Sequence, residues 1–341
     1  MENIRMNLRL FDANTQVTTQ QSLTEEMKTF YSDYLIDAAE PELVHDQFAQ
    51  KHPIPANGGK TIQFRRFAPL GKALTALTEG VTPDGQSLSM TTVEAAVRQY
   101  GGYIQMSDLL LLTAIDNNLT MATKLLGAQA GRTLDTITRE VLVGGDNVQY
   151  ADESVSARYL LQGGNANAAD NNYLTVDCIR RAVRALKNAN CRRIDGAFPV
   201  IIHPDVAYDL MRSTEWIDLQ KYTNNVEHVF NGEIGKIAGV RFVETTEAKI
   251  FAKAGAKPSQ DAANGIDVYA TLILGSNAYG VTEVTGGGLQ HIVKQLGSSG
   301  AADPLNQRAS VGWKAVKVAE RLVEQYMIRI ETGSTFNSGA N

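Results

Sequence analysis

Cysteine is nearly absent from this chain. Its 341 residues contain two, Cys178 and Cys191. Two thiols cannot build a disulfide framework, and their spacing suits neither a zinc site nor a redox pair. They read as reduced, buried or half-buried thiols, so synthesis and use in cytoplasm is the expectation. Long apolar runs are absent too. The densest, Leu109 to Ile115, is closed by Asp108 and Asp116 and falls far short of the ~20 residues that span a bilayer. The opening Met1-Glu2-Asn3-Ile4-Arg5 lacks the basic-then-apolar order of a secretory signal, and no membrane partner is expected. Excess positive charge is also lacking: 32 Lys and Arg face 37 Asp and Glu, for a net −5. A chain whose main task is gripping nucleic acid usually shows a basic face. One that merely encloses DNA needs none.

Catalytic and cofactor motifs fail one by one. Gly59-Lys60-Thr61 ends like a phosphate-binding loop, but Ile54 stands where that loop needs glycine, and a strand pattern follows where a helix is required. Gly232, Gly235 and Gly239 have the wrong spacing for a dinucleotide fingerprint and read as turn residues. Gly297-Ser298-Ser299-Gly300 is not a nucleophile elbow, because Ala301 breaks the spacing. His45 and His52 are too far apart for a helical zinc motif, and His203-Pro204-Asp205 follows a buried strand. No nucleophile, base and orienting group assemble, so neither catalytic residues nor cofactors nor metals are assigned.

What is present is an ordinary globular balance, 43% hydrophobic and 20% charged, enough for a real core and for about two domains at ~150 residues each. After a polar start, Ser22 and Glu25 form a capping box for a helix carrying Leu23, Met27, Phe30 and Tyr34, widened by Tyr31 and Leu35, which Pro41 ends. From Pro53 to Gly102 the pattern is extended. Ile62 and Phe64 alternate with polar residues, a Gly- and Thr-rich tip follows, and a second extended stretch runs from Leu88 to Tyr103. That reads as a projecting hairpin with a polar, core-poor tip. A lone hairpin is marginal in water and must lean on something, which makes Arg65, Arg66, Lys72 and Glu79 the candidate subunit contacts.

A long helix follows, with a stripe from Met121 through Leu126, Ala130, Leu134 and Ile137 to Leu142, stopped at Gly144-Gly145. Another carries Val176, Ile179, Val183 and Leu186 on one side and Arg180, Arg181, Arg184 and Lys187 on the other. Solvated helix faces are commonly charged, so the basic face is expected to be offset by acidic neighbours or subunit contacts. Strands are expected over Phe198–Ile202, Gly239–Val243 and Val268–Leu274, then an extended piece over Leu289–Leu296. The last element runs from Gly312 to Glu331, and a free polar tail begins at Gly333.

Two passages carry a family likeness. The first is Val200-Ile201-Ile202-His203-Pro204-Asp205, followed by Gly232-Glu233-Ile234-Gly235-Lys236-Ile237-Ala238-Gly239-Val240. The second is Gly312-Trp313-Lys314-Ala315 through Tyr326-Met327-Ile328-Arg329-Ile330-Glu331. With the order of parts, they make the chain resemble the Hong Kong 97 type of tailed-bacteriophage coat protein. The resemblance implies an α+β fold with an N-arm (1–52), an extended E-loop hairpin (53–105) and a peripheral domain with a spine helix (106–172). An axial domain (173–275) follows, then peripheral strands and the C-terminal tail (276–341). It implies hexamers and pentamers tiling an icosahedral head around double-stranded DNA that is not tightly bound. It also implies a portal, possible decoration proteins and, because the fold is read as starting near Met1, a separate scaffolding protein. Some relatives crosslink a hairpin lysine, but no partner site is matched here, so Lys60 and Lys72 carry no such role. An encapsulin-like compartment shell shares the fold. A soluble α/β enzyme is the alternative of a different class and would need a convergent polar pocket.

Overall fold

The computed structural model describes residues 15–16, 43–55, 59–67, 70–77, 79–82, 84–113, 118–163, 172–221, 236–257, 264–283, 289–298, 303–336 and 339. The first strands are β1 (Thr15–Gln16), β2 (Gln50–Lys51), β3 (Thr61–Phe67), β4 (Met90–Ala96) and β5 (Arg98–Ser107). Helices α1 (Asp108–Thr113) and α2 (Asn118–Val143) follow, then β6 (Val148–Tyr150) and α3 (Val176–Asn188). Next come β7 (Phe198–Ile202), α4 (Pro204–Met211), α5 (Thr214–Lys221), β8 (Lys236–Ile237), β9 (Val240–Glu244) and β10 (Ile250–Phe251). The chain closes with β11 (Val268–Leu274), β12 (Tyr279–Glu283), β13 (Gln290–Lys294), β14 (Arg308–Arg321) and β15 (Met327–Thr332). The helix read from the Ser22 capping box lies outside the described residues.

Two sheets share the body. The seven-stranded sheet runs β6-β15-β11-β7-β9-β8, with β10 beside β11. Its central strands β7 and β11 are buried along their whole length, as expected when both faces of a Val- and Ile-rich strand are covered. On one face, Ile179, Val183 and Leu186 of α3 pack on Phe198, Val200 and Phe242. Thr175 caps α3 by accepting from Cys178 N. His203 caps α4 through Nδ1, which accepts from Asp205 N, and Pro204 takes the first turn. The His-Pro-Asp tripeptide is thus a helix start. The β8–β9 turn holds Ala238 and Gly239 at φ of 53° and 83°, the left-handed conformation a turn glycine supplies.

The six-stranded sheet runs β1-β5-β14-β12-β2, with β13 beside β14. Strands β5 and β14 pair antiparallel from Ser107–Arg308 to Arg98–Lys317. A Cβ on Gly101 would lie 2.7 Å from the Trp313 carbonyl oxygen, so that glycine permits the close approach. Helix α2 lies across this sheet, with Leu126, Ala130 and Leu134 against Val311, Trp313 and Ala315. Its last turn reaches the other sheet, where Leu142 and Val143 meet Ile201, Leu272 and Leu274. Gly144 and Gly145 end it as the sequence predicts. Their amides reach back to Glu140 O and Leu142 O, and the Glu324 carboxylate accepts from Asp146 N and Asn147 N.

Two expectations need correction. The stretch Gly312–Glu331 is not one element. Leu322 N and Val323 N both donate to Ala278 O, a short 3-10 turn covers Glu324–Tyr326, and the chain changes sheets. Residues 327–332 therefore belong with β11 and β6, not with β14, so the division drawn at 276 does not hold for them. Alternation alone could not reveal this, because it is the same in either sheet. Nor is the chain free from Gly333 on. Ser334 and Thr335 donate to the buried Asp209 carboxylate through both hydroxyls and Thr335 N, at 2.6–2.9 Å. Tyr269 O–H lies 3.1 Å from Phe336 O, and Gly339 N donates to Asp267. Polar residues suited to a loose end here satisfy buried carboxylates.

Candidate assembly surfaces

The hairpin β3–β4 pairs from Thr61–Ala96 to Phe67–Met90. Only its root leans on the body. The Phe64 ring lies 6.0 Å from that of His52, and its edge approaches Gly280 so closely that a Cβ there would sit 2.9 Å away. Phe64 is half-buried; Phe67, farther out, is exposed. Beyond the root, Leu70, Leu74, Leu77, Val81, Leu88 and Met90 are exposed, Leu74 at 85% and Leu77 at 77%. The structure places Arg65 and Arg66 on the stem and Lys72 and Glu79 in the tip, all four exposed. The tip is therefore apolar as well as polar. Its leucines are functional candidates that the Gly/Thr-rich reading passed over, although their regular recurrence in a segment without a core was the available signal.

A second exposed apolar feature is β13, open on both faces. Leu289, Ile292, Val293, Leu296 and Leu305 are exposed in and around it, and its outer edge has no strand partner among the described residues. Contiguous exposed apolar surface of this kind marks interaction sites.

Inside the body lies a polar cluster that no motif announced. His45 N donates to Asp135 Oδ1 at 2.8 Å, and its ring Nδ1 lies 2.6 Å from Asp135 Oδ2. A carboxylate only accepts, so Nδ1 carries the hydrogen. The next residue, Asp46, accepts from Thr138 Oγ1 at 2.6 Å and from Lys317 Nζ, which also donates to Leu134 O at 3.0 Å. Tyr279 O–H donates to His45 O. Burial, with Asp46 and Asp135 nearby, holds the Tyr279 phenol well above its ordinary pKa, so it stays a neutral donor. His45 and Asp135 are 1% and 2% exposed, out of reach of a substrate. Both nearby hydroxyls already donate, and the cluster joins chain segments. Among the described residues no group of three or more His, Cys, Asp or Glu could hold a metal ion. The signal for this cluster was Lys317, which stands among the inward-facing residues Val311, Trp313, Ala315 and Ala319 of β14.

The basic face of α3 is offset in part. Arg181 meets Glu153 and Asp177, each at 3.3 Å, and Arg180 lies 4.0 Å from Glu215. Arg184 and Lys187 are exposed. Cys178 is buried and Cys191 half-buried, both unpaired, and burial pushes each thiol up. Among the described residues no helix is long and apolar enough to cross a membrane.

A core wrapped by elements that leave large apolar groups uncovered is the geometry of a part made to meet others. Residues 90–319 match the model of the family described as phage capsid protein. The chain belongs to that family. No curated protein matches the sequence, whereas solved phage capsids match the fold along nearly its whole length. The capsid of Ralstonia phage GP4 aligns at 14% identity over 96% of this chain and 100% of that one, with a TM-score of 0.65. The capsid of cyanophage P-SCSP1u aligns at 14% over 90% and 93%, with a TM-score of 0.64. The mature capsid of bacteriophage PhiM1 aligns at 15% over 89% and 91%, with a TM-score of 0.62. The fold is thus the Hong Kong 97 type of phage capsid subunit.

Proposed function

We propose that this capsid protein is the major subunit of an icosahedral phage head, assembling as hexamers and pentamers around double-stranded DNA. The observation that supports this most is the hairpin tip, whose leucines no described part of its own chain covers. The hydrophobic effect favours their burial at about 25 cal/mol per Å², and in a shell the available cover is a neighbouring copy. In this reading residues 1–52 are the N-arm and 53–105 the E-loop, apart from β5, which lies in the peripheral sheet with β14. Residues 106–172 are the peripheral domain, apart from β6, which pairs with β15, and 173–275 the axial domain. Of 276–341, β12 to β14 complete the peripheral sheet, whereas β15 and the docked tail join the axial body. Arg65, Arg66, Lys72 and Glu79 lie at subunit boundaries, Arg65 and Arg66 meeting acidic groups of the next copy. A separate scaffolding protein, a portal and decoration proteins are the partners such a head employs. The role is structural, with the virion as the working location and the host cytoplasm as the place of assembly.

Negative-stain microscopy of the purified full-length chain, with its scaffolding protein where one is needed, tests this. Closed shells of uniform diameter are expected. Replacing Arg65 and Arg66 by Glu is expected to abolish them while the far-UV circular dichroism of the free subunit stays unchanged. Persistent monomers of the unaltered chain under all assembly conditions would refute the proposal.

A further inference from the structure

The cluster at His45 and Asp46 is costly in a way its surroundings do not require. Lys317 and Asp135 are each 2% exposed, and His45 is 1%. Around them the packing is apolar: Val44, Leu142, Tyr279, Val281 and Ala319 form one core, and Leu134, Val311, Trp313 and Ala315 form another. A buried ion pair must overcome the desolvation of both charges, and apolar residues of similar volume often serve stability as well or better. What such a pair supplies is uniqueness of placement, because a shifted charge finds no other partner.

The placement concerns one short segment. Residues 43–49 form turns rather than a helix or strand, so no ladder of backbone bonds fixes them. Two consecutive side chains do it instead. His45 is held by Asp135 through both its amide and its ring, and by Tyr279 through its carbonyl. Asp46 is held by Thr138 and Lys317. Asp135 and Thr138 are three apart on α2, on one helix face, while Lys317 and Tyr279 come from β14 and β12. Helix α2 and the sheet therefore grip the same two residues from two sides. Past the grip, β2 pairs in parallel with β12 at Gln50–Gly280 and Lys51–Val281. On its other side begins the stretch that leads back toward the N-terminus.

We propose that the His45–Asp135 and Asp46–Lys317 pairs are a bolt that fixes where the N-terminal arm joins the body of the subunit, and that the bolt serves shell assembly rather than stability of the free subunit. This rests on the proposed reading of the chain as a shell subunit with residues 1–52 as its arm. A few degrees of freedom at the root become ångströms at a distant contact, and a closed shell of hexamers and pentamers admits only a small set of angles between neighbours. Lys317, Asp46, His45 and Asp135 are thus positioning residues of assembly.

The test uses the full-length chain with Asp46→Leu and Lys317→Met together, and separately with His45→Leu and Asp135→Leu together. Three properties are read: the thermal midpoint of the unassembled subunit, the rate of proteolytic cleavage before residue 52, and the yield and diameter of shells. The expected result is a midpoint equal to or above that of the unaltered chain, faster cleavage, and closed shells reduced about tenfold or of mixed diameter, as befits lost specificity without lost stability. Shells of normal yield and diameter from either pair would overturn the proposal. Unfolding of both pairs, seen as lost near-UV dichroism, would overturn it as well, because the cluster would then be a stability element. If the unaltered chain itself forms no shells, the assembly reading fails instead, so the two failures are distinguishable.

Discussion

At the residue scale, the polar groups with structural consequences are those that end or join elements. His203 is one. It caps α4 with a neutral ring nitrogen, and burial lowers its pKa below the ordinary 6.5, against the pull of Asp205 toward the charged form. A folded pKa below the unfolded one means that the unfolded chain takes up the proton first. The neutral ring therefore contributes stability above about pH 6.5 that is lost as pH falls below that value, levelling off once the folded pKa is passed. Protonation also removes the acceptor that Asp205 N uses. Chemical denaturation of the free subunit is expected to show lower stability at pH 5.5 than at pH 7.5 through this group, and His203→Asn, which keeps a capping acceptor, is expected to lose less. Equal losses in both proteins would remove His203 from the account. Legibility at this scale was uneven. His203-Pro204-Asp205 was visible as the junction between a buried strand and a helix, and the structure shows it capping that helix. Asp135, Asp46 and Lys317 were invisible as a group, because residues 46, 135 and 317 meet only when the six-stranded sheet and α2 are already in place.

At the element scale, periodicity read the helices and the buried strands well, because burial on one face or both writes itself into residue order. Helix α2 and strands β7 and β11 are of this kind. It read poorly where the partner is not in the same element. Strand β15 alternates like β14 yet pairs elsewhere, and the tail looked loose because Ser334 and Thr335 are solvated types whose partner, Asp209, lies on α4. Truncation after Thr332 tests the docked tail. It would strip three donors from Asp209 and separate the Phe336 ring from Tyr208, which lies 5.3 Å away. A loss of about 1–3 kcal/mol is expected by urea denaturation, where a free end would give none. The hairpin offers the opposite case. Leu74 and Leu77 are 85% and 77% exposed among the described residues, so with Leu74→Ser and Leu77→Ser free-subunit stability is expected to stay within about 0.5 kcal/mol while shell assembly fails. A stability loss several times larger would show that the tip packs on its own chain.

At the scale of the whole molecule, the question is how a shell subunit treats the polymer it encloses. DNA filled into a closed head must move past the wall, and each phosphate that the protein neutralises adds to affinity through counterion release. A net −5 does not supply the Lys and Arg excess that many such contacts require. The basic face of α3 is the local exception, and the structure divides it. Arg180 and Arg181 face Glu215, Glu153 and Asp177, so their charge is spent within the subunit, though the exposed members of these pairs contribute little to stability. Arg184 and Lys187 are exposed without an acidic partner among the described residues, which leaves two cations for phosphates. With two, the logarithm of the binding constant is expected to fall against the logarithm of salt with a slope of about −2 on duplex DNA. Gel shift of unassembled subunits on duplex DNA between low and physiological salt measures that slope directly. Weak binding that vanishes near physiological ionic strength is the expected outcome, unchanged by Arg180→Ala and reduced by Arg184→Ala with Lys187→Ala. Submicromolar binding at physiological salt with a steep slope would instead make α3 a DNA-gripping element, and the picture of a wall that DNA slides past would have to be given up.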